Sequence, residues 1–141
     1  PNVRPNKQAS KSLTPRSKTK QARPTVKMFI NKGRQLTRQG QWHEALDELK
    51  NALALEPGNA LVHKYLGEAY FNIEDNALAL KHLQRALKLK PELGPAWVIL
   101  GNVHQALHQI EDAKEAYKRY LVILPDGRYA ADIKLILSTM P

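Results

Sequence analysis

Histidines and paired carboxylates are the side chains here whose types and spacing could do chemistry. His104 and His108 stand four apart, which on one helix is metal-ligand spacing. No glutamate accompanies them as in a zinc protease, so a packing or surface role is expected for both. Glu111-Asp112 and Glu74-Asp75 are acidic pairs of the kind that open helices, where the N-terminal dipole favours negative charge. Neither pair is spaced as a catalytic dyad. The chain has no glycine-rich phosphate loop, no Gly-x-Ser-x-Gly, and no cysteine to act as nucleophile, zinc ligand or disulfide. The expectation is a protein that is not an enzyme and takes no cofactor and no metal.

Charge points elsewhere. The formal net charge of the 141 residues is +9. Arg4, Lys7, Lys11, Arg16, Lys18, Lys20 and Arg23 lie within residues 1–25, which hold no acid, whereas residues 26–141 carry 15 basic against 13 acidic side chains. That first stretch, with four prolines and only Val3 and Leu13 as large apolar residues, cannot bury enough surface to offset chain entropy. It reads as a disordered basic tail or linker. Its charge would suit nucleic acid, anionic lipid or an acidic protein, through phosphate-led and salt-sensitive contacts, because no aromatic interleaves the cations for base stacking. Ser12, Thr14-Pro15, Ser17 and Thr19 could accept phosphate and cancel that charge. No apolar run approaches the ~18 residues of a membrane span, and no secretory signal is visible. With the absent cysteine, these features predict a cytoplasmic protein.

The elements that position everything else come from one repeating unit, ALVHKYLGEAYFNIEDNALALKHLQRALKLKPEL, residues 60–93. Gly33, Gly67 and Gly101 are 34 apart, as are Ala45, Ala79 and Ala113, and Pro57, Pro91 and Pro125. A fixed period in this range signals a stacked repeat architecture. The units are 26–59, 60–93 and 94–127, each with two amphipathic helices and a proline-marked stop. Val26–Arg38, Trp42–Leu55, Pro95–Ala106 and Ile110–Ile123 are expected to be helical. Glycine and alanine recur where helices must come close, and a larger residue there would force the pair apart. Phe29, Leu36, Leu49 and Leu53, Leu66, Tyr70, Leu83 and Leu87, and Trp97, Leu100, Tyr117 and Leu121 supply the surrounding bulk. Residues 128–141 read as a seventh, capping helix from about Tyr129 to Thr139, because the last unit would otherwise expose its apolar face. Ala131 and Leu135, with Leu137 partly alongside, are expected to pack on the third unit. Tyr129, Ile133, Ile136 and Met140 fall on another side, where they line the groove end, pack within the chain, or form a homodimer face.

Leu66-Gly67, Tyr70, Ala79, Leu83, Ala86 and Pro91 resemble the tetratricopeptide repeat (TPR) family. The third unit matches at Trp97, Leu100-Gly101, Ala113, Tyr117 and Pro125, and the first at Gly33, Ala45, Leu49, Ala52 and Pro57. Four departures stand out: Lys32 where Leu precedes glycine, His63 at the aromatic position, His104 at the Tyr position and Tyr120 where Ala is usual. The resemblance covers about 100 residues. It implies an all-α superhelix, a TPR solenoid of antiparallel helix pairs with seven helices, whose first helices line a concave groove. By repeat position, the wall would hold Lys27, Ile30, Asn31, Arg34 and Arg38; Leu61, Lys64, Tyr65, Glu68, Phe71 and Asn72; and Pro95, Val98, Ile99, Asn102 and Gln105. Ile30, Arg34, Leu61, Lys64, Tyr65, Glu68, Asn72, Val98, Asn102 and Gln105 are the expected partner-binding residues.

The implied function is a scaffold or adaptor that holds a peptide or helix of a partner protein. The alternatives are an electrostatic adaptor acting through the basic tail, and an interaction domain of a larger enzyme or signalling protein. Family members that grip chaperone C-terminal carboxylates use Lys, Asn and Arg at positions that here hold Ile30, Arg34, Tyr65, Pro95 and Ile99. Hsp70 and Hsp90 tails are therefore not expected as partners.

Overall fold

A computed structural model describes residues 24–141, so the tail cations from Arg4 to Arg23 lie outside the described residues. Among the described residues the chain forms seven helices: α1 (Val26–Arg38), α2 (Trp42–Leu55), α3 (Ala60–Asn72), α4 (Asn76–Leu89), α5 (Gly94–Ala106), α6 (Ile110–Ile123) and α7 (Ala130–Thr139). Side-chain caps start three of them. Thr25 Oγ1 accepts from the Met28 N–H at 3.3 Å, Asn59 Oδ1 from those of Leu61 and Val62 at 3.0 and 3.2 Å, and Asp75 Oδ1 from that of Leu78 at 3.1 Å. Pro95 takes the first turn of α5, where a missing N–H leaves nothing unsatisfied.

Each hairpin turns through a residue with positive φ: Gly40 (73°), Glu74 (65°) and His108 (59°). The three are 34 residues apart, yet only the first is the residue type that adopts this conformation without steric cost. Glu74→Gly is expected to raise stability by roughly 0.5–1 kcal/mol. An unchanged or lower urea midpoint would show that the Glu74 side chain compensates for the strain. His108 thus lies past the end of α5 and not on the same helix as His104.

Within each pair the small residues do what their recurrence implied. A Cβ at Gly33 would sit 2.7 Å from Leu49 Cγ, at Gly67 2.5 Å from Leu83 Cγ, and at Gly101 2.6 Å from Tyr117 Cδ1. Ala45, Ala79 and Ala113 are fully buried. Consecutive pairs stack through α2 on α3 and α4 on α5. The first helices also touch one another, α1 with α3 and α3 with α5, whereas α2 and α4 do not, nor do α4 and α6. Helices close on one side and splayed on the other bend the stack and leave α1, α3 and α5 along the inner wall.

The four departures are local repackings. Lys32 stays in water and pairs with Glu48 at 3.1 Å. Buried His104 bonds Gln109 Oε1 through Nδ1 at 2.7 Å. Tyr120, 1% exposed, fills the end of the stack and accepts the Tyr129 N–H at 3.1 Å. His63 is buried against His82, Nδ1 to Nδ1 at 3.0 Å, and His82 stacks on Tyr70.

Burial, then the nearby His63, Lys81 and Lys50 charges, pull His82 down from 6.5 to about 4. The folded protein therefore holds this ring neutral in a range where the unfolded chain would already bind a proton. Its contribution is complete above about pH 6.5 and is lost as pH falls toward 4. Between pH 7 and 5 the loss is expected to be about 1 kcal/mol, discounted because His82 is only partly buried. Urea unfolding of wild type and His82→Gln at both pH values checks this; parallel losses would exclude His82 as the source.

The capping helix packs with the opposite face from the one expected. Ala130 and Ile133 are buried with Ala113, Tyr117 and Tyr120, and Ile136, Leu137 and Met140 pack beside them. Leu135 is 65% exposed and Ala131 also faces solvent. The apolar residues suggested as a homodimer face are therefore mostly spent inside the chain. The Gly127 turn that leads into α7 is tight: a Cβ there would meet the Tyr120 hydroxyl and lie 2.8 Å from Leu124 Cβ.

Candidate interaction groove

Two hollows run along the inner wall. The first, of about 310 Å³, is lined by Val26, Lys27, Ile30, Asn31, Arg34, Glu56, Asn59, Leu61 and Tyr65. The second, of about 290 Å³, is lined by Lys64, Glu68, Phe71, Asn72, Pro95, Val98, Ile99, Asn102 and Tyr129. Nine of the ten expected partner-binding residues line one or the other. Ile30, Arg34, Leu61 and Tyr65 fall in the first; Lys64, Glu68, Asn72, Val98 and Asn102 fall in the second. Gln105 lines neither, nor does Arg38. Gln105 Oε1 instead lies 3.0 Å from the Tyr117 hydroxyl. Glu56, Asn59 and Val26 join the wall unforeseen, because the α2–α3 turn and the helix start fold against α1 only in three dimensions. Tyr129 closes the far end, as one of the readings of the capping segment had it.

The apolar part of the wall is Ile30, Leu61, Tyr65, Val98 and Ile99. Leu61 is 41% exposed. The charged part centres on Lys64. Its ammonium lies 4.2 Å from the centre of the Tyr65 ring, a cation–π contact that holds it against the wall. Burial pulls the Lys64 ammonium below the usual lysine range; nearby Glu68 opposes that shift and Arg34 adds to it. A cation partly stripped of water beside a second cation is suited to an incoming anion, which would restore the lost solvation. Arg34 Nη2 reaches Asn31 Oδ1 at 3.5 Å, and Asn72 Nδ2 donates to the Glu68 carbonyl at 2.8 Å. The Tyr117 hydroxyl donates to Asn102 Oδ1 at 2.7 Å, which sends the Asn102 NH₂ the other way.

Comparison with known proteins places this architecture. Tetratricopeptide repeat profiles match residues 30–93 and 94–122. The chain is 32% identical over 76 residues to the TPR repeat-containing protein PA0015 of Pseudomonas aeruginosa, covering 54% of this chain and 72% of that protein. It is 30% identical over 153 residues to the Tonsoku-like protein of Bos taurus, covering 95% of this chain but only 11% of that protein. Among solved structures, the first TPR of Spaghetti (RPAP3) bound to the HSP90 peptide SRMEEVD superposes with a TM-score of 0.73 at 25% identity, covering 82% of this chain and 94% of that one.

That likeness overturns the expectation that chaperone tails are excluded. The expectation rested on side-chain types at five fixed positions. On the same wall here, Lys27 and Arg34 line the first hollow and Lys64 and Asn102 the second. The 34-residue columns, the paired helices with a common inner wall, and the matched profiles agree: the chain belongs to the tetratricopeptide repeat family.

Proposed function

We propose that the inner groove holds an extended or helical segment of a partner protein, making the chain a scaffold or adaptor. The family match and the peptide-bound neighbour make the chain a protein-interaction module; which segment it holds, and by which residues, is the proposal. Apolar side chains of the partner would seat against Ile30, Leu61, Tyr65 and Val98, and an acidic group would meet Arg34 and Lys64. The observation that carries this is Lys64: a partly buried cation, with Arg34 nearby, lining the second hollow beside the apolar Phe71, Val98 and Ile99. A peptide ending in acidic residues, such as the SRMEEVD bound by the Spaghetti domain, is of the class this groove suits. No reaction is assigned to the chain, and a cytoplasmic location is part of the same proposal. Among the described residues no helix is long and apolar enough to cross a membrane.

The test is titration of fluorescent SRMEEVD and of peptides captured from lysate with wild type and with Arg34→Ala, Lys64→Ala. Asn102 is left intact because it also partners Tyr117. Saturable binding weakened by the double substitution supports the groove. Identical binding by both proteins sinks it. The competing reading, that the tail cations outside the described residues do the binding, requires loss on deletion of residues 1–25 and a steep fall with salt.

A further inference from the structure

The three units serve as internal controls for one another, and one cluster on the outer surface occurs only in the second. Lys81 stands where the other units have Asp47 and Glu115, His82 where they have Glu48 and Ala116, and Lys88 where they have Ala54 and Val122. With Arg85, Gln84 and His63 they line a cleft of about 400 Å³ on α4, facing away from the groove, and no carboxylate lines it.

The hydrogen bonds fix the protons at its floor. In the third unit Trp97 Nε1 donates to the Pro91 carbonyl at 2.7 Å, and in the second His63 Nε2 makes the same contact with the Pro57 carbonyl at 2.7 Å. A carbonyl only accepts, so His63 carries its proton on Nε2 and Nδ1 is an acceptor. The 3.0 Å contact with His82 Nδ1 then requires His82 to donate from Nδ1. His82 Nε2 is left with a free lone pair and has no partner among the described residues. Two imidazoles at this distance do not make a metal site here: no third ligand is near among the described residues, and Lys81 and Lys50 would repel a dication.

We propose that this cleft binds a tetrahedral oxyanion, the phosphate group of a phosphorylated ligand, between Lys81, Arg85 and Lys88, with one proton taken up by His82 Nε2 on binding. The proton comes from solvent and turns the only cleft-lining acceptor on the ring into a further donor. The charged and titratable groups facing His82 are Lys81, Arg85 and Lys88 on α4, Lys50 on α2, and His63 and Tyr70 on α3. Burial, and with it the His63, Lys81 and Lys50 charges, keeps the ring neutral in the free protein, and a bound dianion opposes that charge contribution. Affinity and protonation then promote each other by the same factor.

Sulfate is the probe of choice, because its charge is constant between pH 4 and 8. The titration of each imidazole is followed by NMR in sulfate and in chloride at equal ionic strength. Sulfate is expected to raise the His82 midpoint from about 4 by about one unit, equivalent to roughly tenfold tighter binding to the protonated ring. Lys81→Gln, Arg85→Gln, on exposed positions that leave folding intact, is expected to abolish the difference. A midpoint equal in sulfate and chloride would overturn the proposal, as would an equal sulfate shift in the double variant. Inorganic phosphate and vesicles containing phosphatidic acid then locate the phosphate. Competition with sulfate by inorganic phosphate without vesicle sedimentation identifies a soluble ligand; sedimentation that needs Lys81 and Arg85 identifies a lipid headgroup.

Discussion

Tyr117→Ala is expected to destabilise the protein by about 3–5 kcal/mol, the range for removing a buried aromatic. The ring is fully buried and fills the space that Gly101 leaves open across the α5–α6 pair. The ring also joins the body of the stack to the capping helix, since it shares a cluster with Ala130 and Ile133. Its hydroxyl holds Asn102 Oδ1 and is near Gln105 Oε1. Burial raises the Tyr117 pKa, so the hydroxyl stays a donor throughout the neutral range. The two contributions separate experimentally. Tyr117→Phe keeps the ring and loses only the hydrogen bond, for about 0.5–1.5 kcal/mol. Urea unfolding of both variants gives the comparison. A loss below 1 kcal/mol for Tyr117→Ala would mean that α7 is not seated on α6 as described.

Arg34→Ala, Lys64→Ala is expected to weaken an acidic groove peptide by roughly 10–100-fold, that is by about 1.5–3 kcal/mol, with little change in melting temperature. The prediction rests on where the charges sit. A fully solvated lysine contributes little to binding, because water and salt screen it. Lys64 has already lost part of its hydration to the wall and to the Tyr65 ring, so it interacts with a partner carboxylate at a lower local dielectric. Tyr65→Ala would remove both the apolar wall and the support for the ammonium. Fluorescence anisotropy with SRMEEVD at two salt concentrations measures the effect. Unchanged affinity in the double variant would place the binding residues elsewhere on the molecule.

Much of the fold was legible because a repeat states the same packing problem three times. Gly33 with Leu49, Gly67 with Leu83 and Gly101 with Tyr117 are one contact made in successive units, and the common 34-residue spacing exposes it without coordinates. The inner wall was assigned through the resemblance to the tetratricopeptide repeat family, and nine of the ten residues named on it line the two hollows. The capping helix could not be assigned in this way. It occurs once, with apolar residues all round its ten positions, so no periodicity tells Ala131 and Leu135 from Ile133 and Ile136. Packing against Ala113, Tyr117 and Tyr120 distinguishes them. The exclusion of chaperone peptides failed for a related reason. It equated a binding capacity with residue types at five positions, whereas a neighbour of the same fold, bound to the HSP90 peptide SRMEEVD, superposes on this chain.

By itself, then, the sequence determined the helix pairs and their small-to-large interlocking, because each follows from local periodicity repeated along the chain; the inward-facing helices followed from the family resemblance. The tertiary structure alone decided which face of α7 is buried, where Lys64 meets the Tyr65 ring, and that His63 and His82 share a hydrogen bond. These depend on how separate helices are set against one another, and such relative placement has no period for a sequence to display.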